Sequence, residues 1–333
     1  MKRAGKYLAI VLISMFTLVV QSQNSYYNPE IPEIVQYTVT PDVKYGEGKI
    51  MSDNKIGSKD LNMDVYYPTN NNNNRPAVIL SYGGSFHRGN PRIPYAGFGG
   101  QTTTMSQYAM RLAAEGYVVF TINYRVAPDN PVLDNYEGFS EDDLDADIFK
   151  SQMAIDQTNT IRQQMGLDNL TDENAEKVLK TAVLAATEDL RKAIRHIKTE
   201  HEIYNIDPDK IALGGFSAGG VISINVAYAL QEEVSAVFTN SGFPAVFKME
   251  KLLPQSDKHP PILIFISEND YPVVKALMPP FMQELKAIGV ETNFNWVSGF
   301  GHFYPSGAVS LSDTGDKMPI EQRIIQFLDN KLK

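Results

Sequence analysis

Short apolar runs alternate with amphipathic stretches along most of the chain. The runs have the length and the β-branched content of buried strands, and the amphipathic stretches repeat apolar residues at helical spacing. Strands are predicted at residues 35–40, 63–67, 77–81, 118–123, 211–214, 236–240, 262–267 and 292–297. Helices are predicted at residues 104–115, 188–203, 218–230, 273–288 and 320–331. This alternation favours an α/β fold with a mostly parallel, eight-stranded sheet and helices on both faces.

One predicted strand runs directly into a glycine-rich turn. After residues 211–214 the chain reads Gly-Phe-Ser-Ala-Gly, and a helix is predicted from Ala218. Gly-x-Ser-x-Gly between a strand and a helix is typical of a nucleophile elbow, in which the glycines leave room for a sharp turn that exposes the serine. Ser217 is therefore the candidate nucleophile. The alternative is a small-residue turn that only packs a helix on the sheet.

The base of such a site is expected downstream, because the fold that carries this elbow has the chain order Ser, Asp or Glu, His. Of the five histidines, only His259 and His302 follow Ser217. The sequence around His259 is typical of a loop before a strand. His302 follows the predicted strand 292–297, where a loop brings an imidazole to the sheet edge, and it is the candidate base.

The acid is expected just after a strand that lies between the serine and the histidine. Asp270 follows the apolar run 262–267 and is the candidate. It would accept a hydrogen bond from Nδ1 of the imidazole and fix the tautomer. Glu268 is the rival, and a third interpretation is an acid that only complements the dipole of the helix starting near Val273.

A glycine pair after another apolar strand supplies a candidate oxyanion hole. The run 77–80 leads into Ser-Tyr-Gly-Gly-Ser-Phe, which places the small residues Gly83, Gly84 and Ser85 after a strand end. Backbone amides of such a loop, together with the amide after the nucleophile, here Ala218, hold the negative oxygen of a tetrahedral intermediate. An ordinary hairpin or loop is the alternative.

These segments together resemble the α/β-hydrolases of the carboxylesterase and hormone-sensitive-lipase-like group. Further similar segments are Tyr-Arg-Val-Ala-Pro at 124–128, Leu-Asn-Met-Asp-Val-Tyr-Tyr-Pro at 61–68 and Asp-Pro-Asp-Lys-Ile at 207–211. The resemblance spans about residues 60–333 and implies the α/β-hydrolase fold.

The resemblance also implies roles for individual residues, with two departures from the group. It implies a catalytic triad of Ser217, Asp270 and His302. It also implies that the backbone amides of Gly84, Ser85 and Ala218 form the oxyanion hole. Tyr82 stands where most members have histidine, and Ser85 stands where they have a third glycine. Tyrosine at that place also occurs in cholinesterase-like members, so it does not imply loss of activity.

The resemblance fails between Pro128 and about residue 185, where that group needs only a short link. Residues 134–180 contain 12 acidic and only 4 basic residues, and their apolar positions have helical spacing. We expect a helical, acidic insertion at about residues 129–185 that caps the cleft and excludes water. The alternative is a solvated insertion beside the core. A cap with this charge predicts weak binding of anionic substrates.

The N-terminal residues indicate where the protein is located in or outside the cell. Lys2, Arg3 and Lys6 precede an apolar run at 7–20 and a polar flank, which is typical of a cleaved signal peptide, here residues 1–22. A membrane anchor is the alternative. We expect an exported protein, secreted or periplasmic, with an arm and first strand at 23–60 and a catalytic domain at 61–333.

The amino-acid composition argues against several kinds of functional site. The 333 residues include no cysteine, which excludes disulfides, a thiol nucleophile and cysteine metal sites. The histidines lack ligand-like spacing, and a formal net charge of −9 argues against nucleic-acid binding. We expect no cofactor, no metal, no nucleic-acid partner and no stable membrane insertion after signal removal.

The sequence as a whole predicts a serine esterase that forms an acyl-enzyme. Its substrate would be a small-molecule or carbohydrate-linked ester, such as a short-chain acyl ester or an acetyl or feruloyl group on a plant polysaccharide. Two alternatives remain. One is a serine peptidase of the prolyl-oligopeptidase type, although the chain lacks the length for that group's propeller domain, and the other is a catalytically silent hydrolase fold used for binding.

Overall fold

The computed structural model describes residues 37–69, 73–97, 99–134, 137–256 and 258–333. The strands in chain order are β1 Tyr37–Ser52, β2 Lys55–Pro68, β3 Arg75–Ser81, β4 Ala96–Gly97, β5 Gly100–Gln101, β6 Val118–Ile122, β7 Leu144–Asp145, β8 Ile206–Phe216, β9 Ala236–Asn240, β10 Val246–Phe247, β11 Ile262–Asn269, β12 Thr292–Gly301, β13 Val309–Ser312 and β14 Lys317–Pro319.

Ten of these strands form one sheet in the order β1-β2-β6-β3-β8-β9-β11-β12-β13-β14. The six neighbours from β6 to β12 are parallel, and the two strands at either edge pair antiparallel. The inner parallel strands β6, β3, β9 and most of β8 and β11 are buried on both faces, as their apolar runs predict, whereas β12 is only partly buried. Their carboxyl ends therefore lie along one edge of the sheet, where open α/β folds place their sites.

All eight predicted strands lie in this sheet, although residues 35 and 36 are outside the described part of the chain. The predicted number was too small by two, because β13 and β14 were missed. Both are short, and the apolar residues Val309 and Leu311 are 53% and 38% exposed, so no buried pattern marks them. β1 also extends well beyond the predicted residues, since it pairs with β2 as a ribbon whose far end is largely exposed.

Helices cover both faces of the sheet, as the alternation of elements predicts. They are α1 Met105–Ala114, α2 Gln152–Gln164, α3 Ala175–Thr199, α4 His201–Tyr204, α5 Ala218–Ile224, α6 Met249–Leu252, α7 Pro272–Ala287 and α8 Ile320–Leu332. The start of α1 was predictable from its capping box, in which the Thr104 side chain accepts from the Gln107 amide and the Gln107 side chain accepts from the Thr104 amide.

Two predicted helices differ from the structure. The helix predicted at 188–203 begins much earlier, at Ala175, because its first half packs against the insertion as well as the core. The helix predicted at 218–230 is α-helical only to Ile224 and continues as a π-helical turn over Asn225–Ala229.

The insertion is helical, as predicted, and is joined to the main domain through α3. A small apolar cluster of Ile155, Leu170, Ala175 and Leu179 packs α2 against the first half of α3. The second half of α3 belongs to the main core. The sequence boundaries of arm, insertion and catalytic domain stay predictions.

No helix among the described residues has the length and apolar character needed to cross a membrane. The predicted signal peptide at residues 1–22 lies outside the described residues. Its presence therefore stays a prediction.

Candidate active site

Ser217 lies between β8 and α5 in a conformation that L-amino acids rarely adopt. Its φ and ψ angles are 52° and −117°, and its amide donates a 2.8 Å hydrogen bond to the carbonyl of Asn240 at the end of β9. The two glycines of the motif make the turn possible. A Cβ on Gly215 would lie 2.3 Å from the carbonyl carbon of Gly219, so only glycine fits there.

His302 and Asp270 extend a hydrogen-bonded chain from Ser217. Nε2 of His302 lies 2.9 Å from the Ser217 hydroxyl, and Nδ1 lies 2.5 Å from Oδ1 of Asp270. Both side chains are almost fully buried. A carboxylate that accepts from Nδ1 leaves Nε2 free to take the serine proton, so the three groups have the geometry of a serine hydrolase triad.

Both carboxylate oxygens of Asp270 accept further hydrogen bonds. Ser241 donates to Oδ2 at 2.5 Å, and the amide of Tyr271 donates to Oδ1 at 2.8 Å. Burial raises the pKa of Asp270, yet the hydrogen bonds from His302, Ser241 and Tyr271 outweigh it and leave the pKa below its ordinary value. The carboxylate is therefore ionised at neutral pH.

The rival acid, Glu268, does not reach the imidazole. Its side chain is exposed and accepts from the Ser298 hydroxyl at 3.1 Å and from the Gly299 amide at 2.8 Å. These bonds lower its pKa and join Glu268 to the last part of β12, just before His302. The structure thus brings Asp270, and not Glu268, into contact with His302.

The candidate oxyanion loop, residues 82–89, follows β3 and faces the start of α5. Gly84, Ser85 and Phe86 all have positive φ angles, of 119°, 53° and 58°, a conformation that is unfavourable for the two larger residues. The loop is held from outside, since the Tyr95 hydroxyl donates to the carbonyl of Gly83 at 2.8 Å. A Cβ on Gly83 would lie 2.6 Å from the Phe216 ring, which accounts for a glycine there.

Three amides in this region are available as donors. In the described part of the chain, no backbone acceptor is hydrogen-bonded to the amides of Gly84, Ser85 or Ala218. Tyr82, which replaces the histidine of the resembling group, is buried and stacks on Tyr124 with 4.4 Å between ring centroids. Its ring therefore supports the loop from the core side.

Two clefts meet at Ser217 and His302, and α2 of the insertion lines both. A mainly apolar cleft of about 120 Å³ includes Phe149, Val221 and Phe243. A more polar cleft of about 340 Å³ includes Arg88, Tyr95, Thr160 and Gln164. The insertion thus lies over the site in the position expected of a cap.

The residues that line the two clefts include few charged side chains. Among the described residues that line the two clefts, Arg88 is the only Lys, Arg, Asp or Glu. Acidic residues of the insertion form ion pairs elsewhere, for example Glu141 with Lys180 and Asp147 with Lys150. No Asp or Glu is among the described residues that line the two clefts, and weak binding of anionic substrates stays a prediction.

Sequence reasoning did not find Ser241 as a partner of the acid. Ser241 directly follows β9, so it lies beside the end of β11, where Asp270 is carried. A polar residue just after a buried parallel strand is the only signal that marks it in the sequence.

Among the described residues, no group of three or more acidic or histidine side chains is arranged to hold a metal ion.

Comparisons with known proteins agree with this architecture. A family model described as the dienelactone hydrolase family matches residues 95–308, which is more than half of the chain. No match was found among curated proteins.

Solved structures show the same fold at low identity. Esterase 2 of Thermogutta terrifontis, phosphorylated by paraoxon, is 17% identical with a TM-score of 0.51, covering 91% of this chain and 95% of the esterase. A truncated carbohydrate esterase from gut microbiota is 17% identical with a TM-score of 0.50, covering 90% of this chain and 98% of that one. At these identities the likeness shows the fold alone.

Proposed function

Because the chain belongs to the dienelactone hydrolase family of the α/β-hydrolase superfamily and is a carboxylic ester hydrolase, we propose that it is a serine esterase that forms an acyl-enzyme. The observation that carries the proposal is the hydrogen-bonded chain from Ser217 through His302 to Asp270. These are the three groups, in the same chain order, that the elbow motif requires.

In the first half of the reaction, the Ser217 hydroxyl attacks the ester carbonyl carbon and Nε2 of His302 takes its proton. The carbonyl oxygen becomes negative and is held by the amides of the candidate oxyanion loop and of Ala218. Asp270 stabilises the imidazolium. His302 then gives the proton to the leaving alcohol oxygen as the carbon–oxygen bond breaks, which leaves an acyl group on Ser217.

In the second half, a water molecule attacks the acyl carbon, and His302 takes one of the protons of that water. The same amides hold the oxygen, and His302 returns the proton to Ser217 as the acid leaves. Each step uses only groups of this chain and water, so the proposed reaction requires no cofactor.

The clefts support a short acyl group on a polar alcohol. The small apolar cleft suits an acyl chain of a few carbons, and the larger polar cleft suits a hydroxylated alcohol such as a sugar residue. With the predicted export of the chain, this favours acetyl esters of an extracellular polysaccharide as substrates. Feruloyl esters are the second candidate, and their bulky acyl group would have to occupy the larger, polar cleft instead.

Covalent labelling tests the proposed nucleophile directly. Paraoxon transfers a diethyl phosphoryl group to an activated serine, so the intact mass should rise by one such group and peptide mapping should place it on Ser217. Ser217→Ala should remain unlabelled. The matched control is Ser223→Ala, which removes a buried hydroxyl that donates to the Gly219 carbonyl in α5, the helix after Ser217, and it should label like the wild type.

The same preparation separates the alternatives. An esterase should cleave p-nitrophenyl acetate and leave a prolyl peptide p-nitroanilide intact. A labelled serine with the opposite preference would favour the peptidase. A folded protein that neither labels nor turns over either substrate would contradict the proposal and favour a binding role.

A further inference from the structure

Tyr271 stands in direct contact with the imidazole of His302. The two rings are stacked, with 4.1 Å between centroids and 28° between planes. Tyr271 follows Asp270 in the chain, and its amide donates to the Asp270 carboxylate. The backbone that fixes the acid therefore also fixes the aromatic ring against the base.

Tyr271 lies near the insertion as well as near the other aromatic rings around His302. It precedes α7 and lines both clefts, and its hydroxyl interacts with Gln157 of α2 in the insertion. Phe216 and Phe303 approach the same imidazole at 5.1 and 5.2 Å between centroids, tilted by 44° and 78°. Of the three rings, Tyr271 is the one that presents its face.

Few charged side chains among the described residues lie near the stacked rings of Tyr271 and His302. The ionised group facing the imidazole is Asp270, at the end of β11. Arg88 and Tyr95, from the candidate oxyanion loop and the segment after it, lie across the polar cleft. The α2 residues that line the clefts, among them Gln157, are uncharged.

An aromatic face carries partial negative charge and attracts a cation within about 6 Å of its centre. The imidazole is neutral before the attack and becomes a cation when it takes the Ser217 proton. The attraction to the Tyr271 ring is therefore greater in the transition state than in the ground state, which is the condition for an interaction to raise the rate.

We propose that Tyr271 is a positioning residue that stabilises the imidazolium form of His302 through the face of its ring. The inference rests on the proposed function, because it requires His302 to be the base.

The test compares Tyr271→Phe with Tyr271→Leu in pH profiles of kcat/KM for p-nitrophenyl acetate. Leucine fills part of the space but has no aromatic face. Loss of the face destabilises protonated His302, so its pKa falls and the acidic limb should move to lower pH by about 0.4 to 1.5 units. On the plateau, kcat/KM should fall by roughly 3- to 30-fold. Phenylalanine keeps the face and should keep the limb at its wild-type pH.

Gln157→Ala serves as the matched control, because it removes the partner of the hydroxyl and leaves the ring. Its acidic limb should not move. If Tyr271→Leu does not fold, Tyr271→Met carries the same expectations. An unmoved limb in a folded leucine or methionine variant, whatever the loss of rate, would show that the ring only fills space and would overturn the inference.

Paraoxon labelling of the wild type keeps the two proposals separate. Absence of label on Ser217 would contradict the proposed function itself. Normal labelling together with an unmoved limb would leave the serine esterase in place and overturn only the role of Tyr271.

Discussion

Gly219→Ala tests the link between the elbow and the candidate oxyanion loop. A Cβ on Gly219 would lie 2.0 Å from the carbonyl oxygen of Ser81 and 2.7 Å from that of Tyr82. Ordinary contact for a Cβ begins near 3.4 Å, and both neighbours are backbone atoms that no rotamer change can move away. Either the start of α5 or the end of β3 must shift.

The shift has two expected consequences. Overpacking of this kind costs about 1 to 3 kcal/mol in the free energy of unfolding. The same movement separates the Ala218 amide from the amides of Gly84 and Ser85, and loss of one oxyanion donor costs about 3 to 4 kcal/mol, or 10²- to 10³-fold in kcat. Because the oxyanion forms only during the reaction, kcat should fall far more than KM rises.

Urea unfolding and steady-state hydrolysis of p-nitrophenyl acetate measure the two effects on one preparation. Gly46→Ala is the matched control, since the nearest atom to its Cβ would be Lys192 Cδ at 4.0 Å. It should resemble the wild type in both assays. A folded Gly219→Ala protein with wild-type kcat would refute the reasoning, because the amides would then not need their present spacing.

Three further predictions address the acid, the core and the polar cleft. Asp270→Asn should lower kcat by roughly 10⁴-fold, whereas Glu268→Gln should change it little, as stopped-flow or steady-state rates would show. Asp189→Asn should lower the free energy of unfolding by about 3 to 5 kcal/mol, measured by urea denaturation, because it removes one of the two carboxylates, the other being Glu188, that neutralise the fully buried Arg125. Arg88→Gln should lower kcat/KM at low salt by about 2- to 5-fold for an acetyl ester of an anionic alcohol and leave a neutral analogue of the same shape unaffected.

Each of these has a clear contrary result. A larger loss in Glu268→Gln than in Asp270→Asn would move the acid to Glu268. An Asp189→Asn protein as stable as the wild type would show that solvent or another group compensates Arg125. Equal effects of Arg88→Gln on both esters would mean that its charge does not face the bound alcohol.

The fold was largely predictable because the strands that form the centre of the sheet are buried on both faces. Their apolar runs mark them without reference to tertiary structure, and the family match confirms the α/β-hydrolase superfamily and the ester hydrolase class that the motifs predicted. Membership of the hormone-sensitive-lipase-like group stays a prediction. The edge strands β13 and β14 were missed because their residues are exposed and their pairing depends on β12.

The candidate site was predictable where a residue type and a strand end coincide. Ser217, Asp270 and His302 each follow a parallel strand, so their convergence follows from the topology. Ser241 and the stacked ring of Tyr271 were not assigned, since nothing in their sequence neighbourhood specifies a side-chain direction. The charge of the residues that line the clefts could not be predicted, because the acidity of the insertion says nothing about which of its residues face inward.

Hydrolysis of p-nitrophenyl acetate, butyrate and octanoate by the wild type and by Ser217→Ala tests the central claim most directly. A serine esterase with the small apolar cleft seen here should turn over the acetate and butyrate faster than the octanoate, and Ser217→Ala should lose this activity by several orders of magnitude. A folded Ser217→Ala protein that retains wild-type turnover would contradict the account.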